Sequence, residues 1–176
     1  MFHKNIVMLM VSASLAATST AYSQDVVHLG IGGGVSIPAG TFRDTYSPKE
    51  NVLLTLAAGP QDSPLGIRLD YSYNEFGSRH VLTGGDQGTH LNIATANLIA
   101  VIPGEIIKPY IIGGGGLYRF QEGTDLTTSN HFGLNAGLGC TFPLFSEVGF
   151  IEARYHRIYG RTVSEQLVPV TLGILF

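Results

Sequence analysis

The residues best suited to chemistry in this chain are His156 and the two charged side chains that share its strand parity, Glu152 and Arg154. A histidine beside a carboxylate can activate a hydroxyl nucleophile: the imidazole takes the proton and the carboxylate orients the ring. Arg68, Asp70 and Arg119 add further charges of both signs on other segments. What is missing is the nucleophile. The position two residues beyond His156, on the same face, is Ile158. Cys140 is the single cysteine and falls among apolar residues of its own face, where a thiol behaves as a small hydrophobe. His156 therefore reads as a satisfied histidine within a charged cluster rather than as a base.

Metal and phosphate chemistry find less support. His28, His80, His90, His131 and His156 lie on different segments, with no local pair at ligand spacing. The stretch Gly84-Gly85-Asp86-Gln87-Gly88 opens no helix and lacks a regular carboxylate series, so it reads as a flexible loop rather than a phosphate or calcium site. No catalytic residue, metal or cofactor is expected. The net charge of −3 provides no basic field for nucleic acid.

The elements that position these residues show two-residue alternation, the mark of strands with one apolar face. Leu65, Ile67, Leu69, Tyr71 and Tyr73 share one face; Gly66, Arg68, Asp70, Ser72 and Asn74 share the other. Within Glu147–Ile158, Ile151, Ala153 and Tyr155 oppose Glu152, Arg154 and His156. Asn130–Phe142 and Val168–Phe176 alternate in the same way, with weaker versions over Val27–Ile37, Asn51–Gly59, Thr89–Ile102 and Ile107–Arg119. This makes eight strands. Tight, proline-led links at 60–63, 103–105 and 143–146 alternate with long polar links at 38–50, 75–88, 120–129 and 159–165. An up-and-down barrel in an outer membrane has this rhythm, with short turns in the periplasm and long loops outside. The predicted fold is an all-β, eight-stranded antiparallel transmembrane β-barrel, with both termini periplasmic.

Ahead of the strands, His3 and Lys4 precede an apolar run from Ile6 to Ala17 and a small, polar stretch ending in Ala21 and Ser23. That is the layout of a cleaved secretory signal over residues 1–23, leaving 24–176 as the barrel domain. A spanning helix is the alternative, but the run is too short to cross a bilayer. Charged residues make up 13% of the chain, about half the usual share. With one cysteine, no internal disulfide can form.

Alternation alone does not say which face meets lipid, and a soluble exported barrel binding an apolar ligand would show the same period. Three features favour apolar-out. Gly30, Gly32, Gly34, Gly113, Gly115, Gly133, Gly137 and Gly139 are assigned to the polar face, where small residues leave room in a narrow lumen. The charges Arg68, Asp70, Arg119, Glu152 and Arg154, with His156, can pair inside as buried charges must. Tyr73, Phe76, Tyr110, Tyr118, Phe120, Phe142, Phe150, Tyr155 and Tyr159 sit near strand ends, as interfacial girdles do.

Over nearly the whole of 24–176 the chain resembles the small outer-membrane β-barrel proteins of the OmpA/OmpX type. The likeness rests on Lys108-Pro109-Tyr110-Ile111-Ile112 running into Gly113–Gly116, on Phe132–Gly139, on Glu152-Ala153-Arg154-Tyr155-His156 and on the closing Val170–Phe176. Val170, Leu172, Ile174 and the terminal Phe176 resemble the signal read by the barrel-assembly machinery. The resemblance implies outer-membrane lipid and that machinery as partners, and an unknown ligand for the external loops. Small barrels resembling lipid A deacylases carry a His followed two residues later by a Ser; His156-Arg157-Ile158 departs from that pattern at the nucleophile. The role expected is structural or surface-interacting, adhesion- or porin-like, and non-enzymatic. The rivals are a lipid- or lipopolysaccharide-modifying hydrolase and the soluble ligand-binding barrel.

Overall fold

The computed structural model describes residues 25–60, 63–78, 89–122, 128–160 and 164–176. The signal-like segment 1–23, His80 and the Gly84–Gly88 stretch lie outside the described residues. Eight long strands are present: β1 (Asp25–Ala39), β2 (Lys49–Pro60), β3 (Leu65–Ser78), β4 (Thr89–Val101), β5 (Lys108–Glu122), β6 (Thr128–Leu144), β7 (Glu147–Tyr159) and β8 (Ser164–Leu175). Each pairs antiparallel with the next, and β8 pairs back onto β1, so the sheet closes. Closure leaves no open edge whose backbone groups would need water, and that permits a sheet to sit in hydrocarbon.

Apolar side chains point out along the wall. Leu29, Ile31, Val52, Leu54, Ile67, Leu69, Leu98, Leu134, Leu138 and Leu172 are all exposed, while Asn51, Thr55, Arg68, Asp70, Asn97, Asn135, Glu152, Arg154 and Thr171 are buried. This inverts the ordering of a water-soluble core and places the apolar face outward, as the sequence predicts. The strands are 12 to 17 residues long. A tilted strand needs about ten residues to cross hydrocarbon of bilayer thickness, and every strand of this wall exceeds that length. Several strands run further toward the long loops than the alternation indicated, because pairing persists where the side chains become polar.

The long link after β1 is structured. Gly40, at φ 57°, turns the chain into a single helical turn, α1 (Phe42–Thr45). Tyr46 and Ser47 then pair with Ser78 and Gly77 at the end of β3. This drives Phe42 into the barrel mouth, where its ring lies 5.1 Å from Phe76 and 6.3 Å from Phe120.

Two expectations from sequence are corrected. The first is the register of β5. Gly113 and Gly115 face outward, beside Leu117 and the exposed Arg119, while Gly114 and Gly116 face in with Tyr118. The adjacent Ile111 and Ile112 followed by four glycines contain no alternation to phase the strand, and a one-residue slip moves every side chain to the other face. The second concerns the aromatics. Phe76, Tyr110, Tyr118, Phe120 and Phe150 are inside the barrel, 0–6% exposed, rather than in a girdle. Tyr73, Tyr155 and Tyr159 do face outward.

Inner glycines seat these inner rings. A Cβ on Gly133 would stand 2.5 Å from Tyr118, one on Gly32 3.2 Å from Phe150, and one on Gly139 would overlap Tyr110. Gly139→Val is therefore expected to destabilise the barrel by about 1–3 kcal/mol through overpacking. A Cβ on outward-facing Gly113 would meet only the Asn135 carbonyl oxygen, at an ordinary contact distance of 3.6 Å, and Gly113→Val is expected to be tolerated; urea unfolding in lipid vesicles compares the two.

Candidate functional site: the charged centre of the lumen

Strand parity brings four charged side chains to one level inside the barrel. Arg68 and Asp70 come from β3, and Glu152 and Arg154 from β7, on the opposite wall. Arg68 Nε donates to Asp70 Oδ1 at 2.9 Å, and its Nη2 donates to Glu152 Oε1 at 2.8 Å. Arg154 Nη1 lies 2.8 Å from Asp70 Oδ2, and Arg154 Nε closes the circuit by donating to Glu152 Oε1. Two guanidiniums and two carboxylates thus form a neutral four-membered ring, with side chains only 3–4% exposed.

Neutral donors complete it. Tyr110 Oη donates to Glu152 Oε2 at 2.7 Å, and Asn97 Nδ2 donates to Asp70 Oδ2 at 2.8 Å. Asn135 Nδ2 in turn donates to Asn97 Oδ1 at 2.8 Å. Arg68 also stands over the Phe150 ring, 5.9 Å from its centroid. Buried charges persist only when paired and hydrogen-bonded, and each member here has partners on more than one strand.

His156 is buried nearby but does not join the ring. The Tyr118 hydroxyl lies 2.8 Å from its Nδ1, with the two rings edge to face. The oxygens of Glu152 are engaged by Arg68, Arg154 and Tyr110, so this carboxylate is not the one that orients the imidazole. The adjoining void, of about 20 Å³, holds about one water and no substrate.

Toward the long loops the lumen becomes apolar. Phe76, Leu91, Ile93, Tyr118, Phe120, Ile158 and Leu167 pack together, and Phe42 of α1 covers them. The expectation that polar side chains fill the lumen is thus met at its centre and not at its mouth. The parity of Phe76, Ile93 and Ile158 could have signalled this packing. Phe42, in a link without period, carried no such signal.

Arg119, expected in the network, is exposed on the outer wall. It is level with Asn92 and Asn130 on the neighbouring strands and belongs to a polar collar above the apolar band. There Tyr71 Oη donates to Asn92 at 2.7 Å, and Tyr73 stacks on His90 with its hydroxyl 2.6 Å from Nδ1. Cys140 is outward by parity and half-buried. Val170 and Leu172 are exposed on the outer wall, Ile174 shares their parity, and Phe176 is bound to β1 by its N–H donating to Leu29 O at 2.7 Å. Among the described residues no three histidine, cysteine or acidic side chains gather as a metal site.

No protein-family model and no curated protein matches this chain. Solved structures do. Neisserial surface protein A superposes with a TM-score of 0.63 at 13% identity, covering 86% of this chain and 97% of that one. The attachment invasion locus protein Ail of Yersinia pestis, in complex with the heparin analogue sucrose octasulfate, superposes at 0.53 and 15% identity, again over 86% and 97%. At these identities the likeness is one of fold: the chain has the eight-stranded barrel architecture of small outer-membrane proteins.

Proposed function

We propose that the protein is an integral outer-membrane barrel with a structural or surface-interaction role, in which the lumen is a plug and the long loops do the recognising. The observation that carries this is the double seal inside the barrel: a neutral ring of four charges across the middle, and an apolar cap completed by Phe42 above it. A pore needs a continuous wet path, and an enzyme needs a base within reach of substrate; the packing disfavours both. The outward apolar band supports residence in lipid, and the outward face of β8, with Val170, Leu172, Ile174 and Phe176, suits reading by the barrel-assembly machinery. The short turns are assigned to the periplasm and the α1-bearing end to the outside.

Planar bilayers containing the purified protein are expected to show no discrete porin-like conductance steps; regular ohmic steps in the wild type would refute the plug. As a separate test of chemistry, His156→Ala is expected to alter stability and leave the lipid A acylation profile of an expressing host unchanged. An acylation change produced by the wild type and lost in His156→Ala would establish a hydrolase instead.

A further inference from the structure

The plug does not extend through the short-turn end. Below the charged ring the lumen opens into a cavity of about 790 Å³, floored by Arg68, Tyr110 and Phe150 and reaching the turns at Pro64 and Gly104. That size falls within the range of small-molecule sites. Its walls carry Val26, Ile99, Val101, Val148 and Leu175. Elsewhere in this barrel inward apolar groups are packed against one another, whereas here they face open space, and apolar wall left to water is unfavourable.

The polar groups are equally one-sided. Lys108 and His28 stand among the lining residues, and none of the described lining residues is acidic. The guanidinium at the floor is already committed to Asp70 and Glu152. His28 Nδ1 lies 3.2 Å from the Phe176 carbonyl oxygen, so among the described lining residues Lys108 is the cation left at the rim, with an apolar interior behind it.

We propose that this cavity binds a single-chain anionic amphiphile, with its acyl tail against Val101, Val148 and Leu175 and its carboxylate or phosphate head at Lys108. The site is separate from the long loops and works whether or not they bind a partner. It requires only the closed barrel.

The protein in phosphatidylcholine nanodiscs, free of detergent, is photolabelled with a palmitate analogue carrying a diazirine near its methyl end, and the labelled residues are mapped. Saturable labelling of Val101 or Val148 is expected, competed by excess palmitate or lysophosphatidic acid but not by hexadecanol. Competition by palmitate alone assigns a carboxylate head, and by lysophosphatidic acid alone a phosphate; either supports the site. Lys108→Gln is expected to weaken labelling by about five-fold, near the upper weight of an exposed ion pair. Val101→Trp, checked for native folding by its heat-modifiable mobility, is expected to abolish it, and if that variant misfolds Lys108→Gln decides. Labelling confined to outward residues such as Ile111 and Leu138, competition by hexadecanol equal to palmitate, or indifference to Lys108→Gln would overturn the proposal.

Discussion

Glu152→Ala is expected to lower the unfolding free energy by about 3–5 kcal/mol, the cost of leaving buried charge without its partner. Glu152 meets Arg68, Arg154 and Tyr110 at once. Its removal strands two guanidiniums on a single carboxylate, Asp70, where the side chains are only 3–4% exposed. Replacing exposed Glu50 by alanine is expected to cost less than about 0.5 kcal/mol, as surface substitutions usually do. Urea titration of both variants in lipid vesicles makes the comparison. Removing one charge of each sign gives a second check: Glu152→Leu with Arg154→Met leaves Arg68 on Asp70 and is expected to recover much of the loss. Failure of that recovery would mean that the ring contributes through geometry and not through charge balance.

On the opposite face, Leu69→Arg and Leu134→Arg are expected to cost about 2–4 kcal/mol each if they lie near the bilayer midplane. Both leucines are exposed on the outer wall, at 53% and 46%. In a soluble protein such positions would accept arginine freely, so the penalty measures lipid rather than packing. Arg119 supplies the internal contrast: it is already an outward arginine, but stands in the collar, level with Asn92 and Asn130. Arg119→Ala is expected to change stability little, and a large loss there would place the apolar band higher on the barrel than the collar suggests.

Strand number, order and facing were legible in the sequence because an apolar band in lipid and a polar lumen impose a period of two that few other constraints disturb. Four of the six residues assigned to the lumen network, Arg68, Asp70, Glu152 and Arg154, form one ring across β3 and β7. Each stands in a strand with clear alternation. His156 is inside but bonded to Tyr118 instead. Arg119 was misplaced because Ile111–Gly116 has no alternating signal to carry the phase from Tyr110 to the strand end. The inner aromatics were misread for a different reason: position near a strand end suggested a girdle, while parity, which turned out to decide, pointed them into the lumen, with Tyr110 and Tyr118 over glycines of the adjacent strand. Contacts across the lumen, such as Tyr110 with Glu152 or Phe42 with Phe120, join residues far apart in sequence and leave no local mark.

The central claim is a closed barrel with its apolar face in lipid, and it is tested most directly by spin-label accessibility along β2 in proteoliposomes. Single nitroxides are placed in turn at positions 52 to 56, in a Cys140→Ser background. Positions 52, 54 and 56 are predicted to collide with lipid-dissolved oxygen and to be shielded from a water-soluble nickel chelate, whereas 53 and 55 are immobilised and shielded from both. The opposite phase, or outward positions open to the nickel chelate along the whole strand, would contradict it.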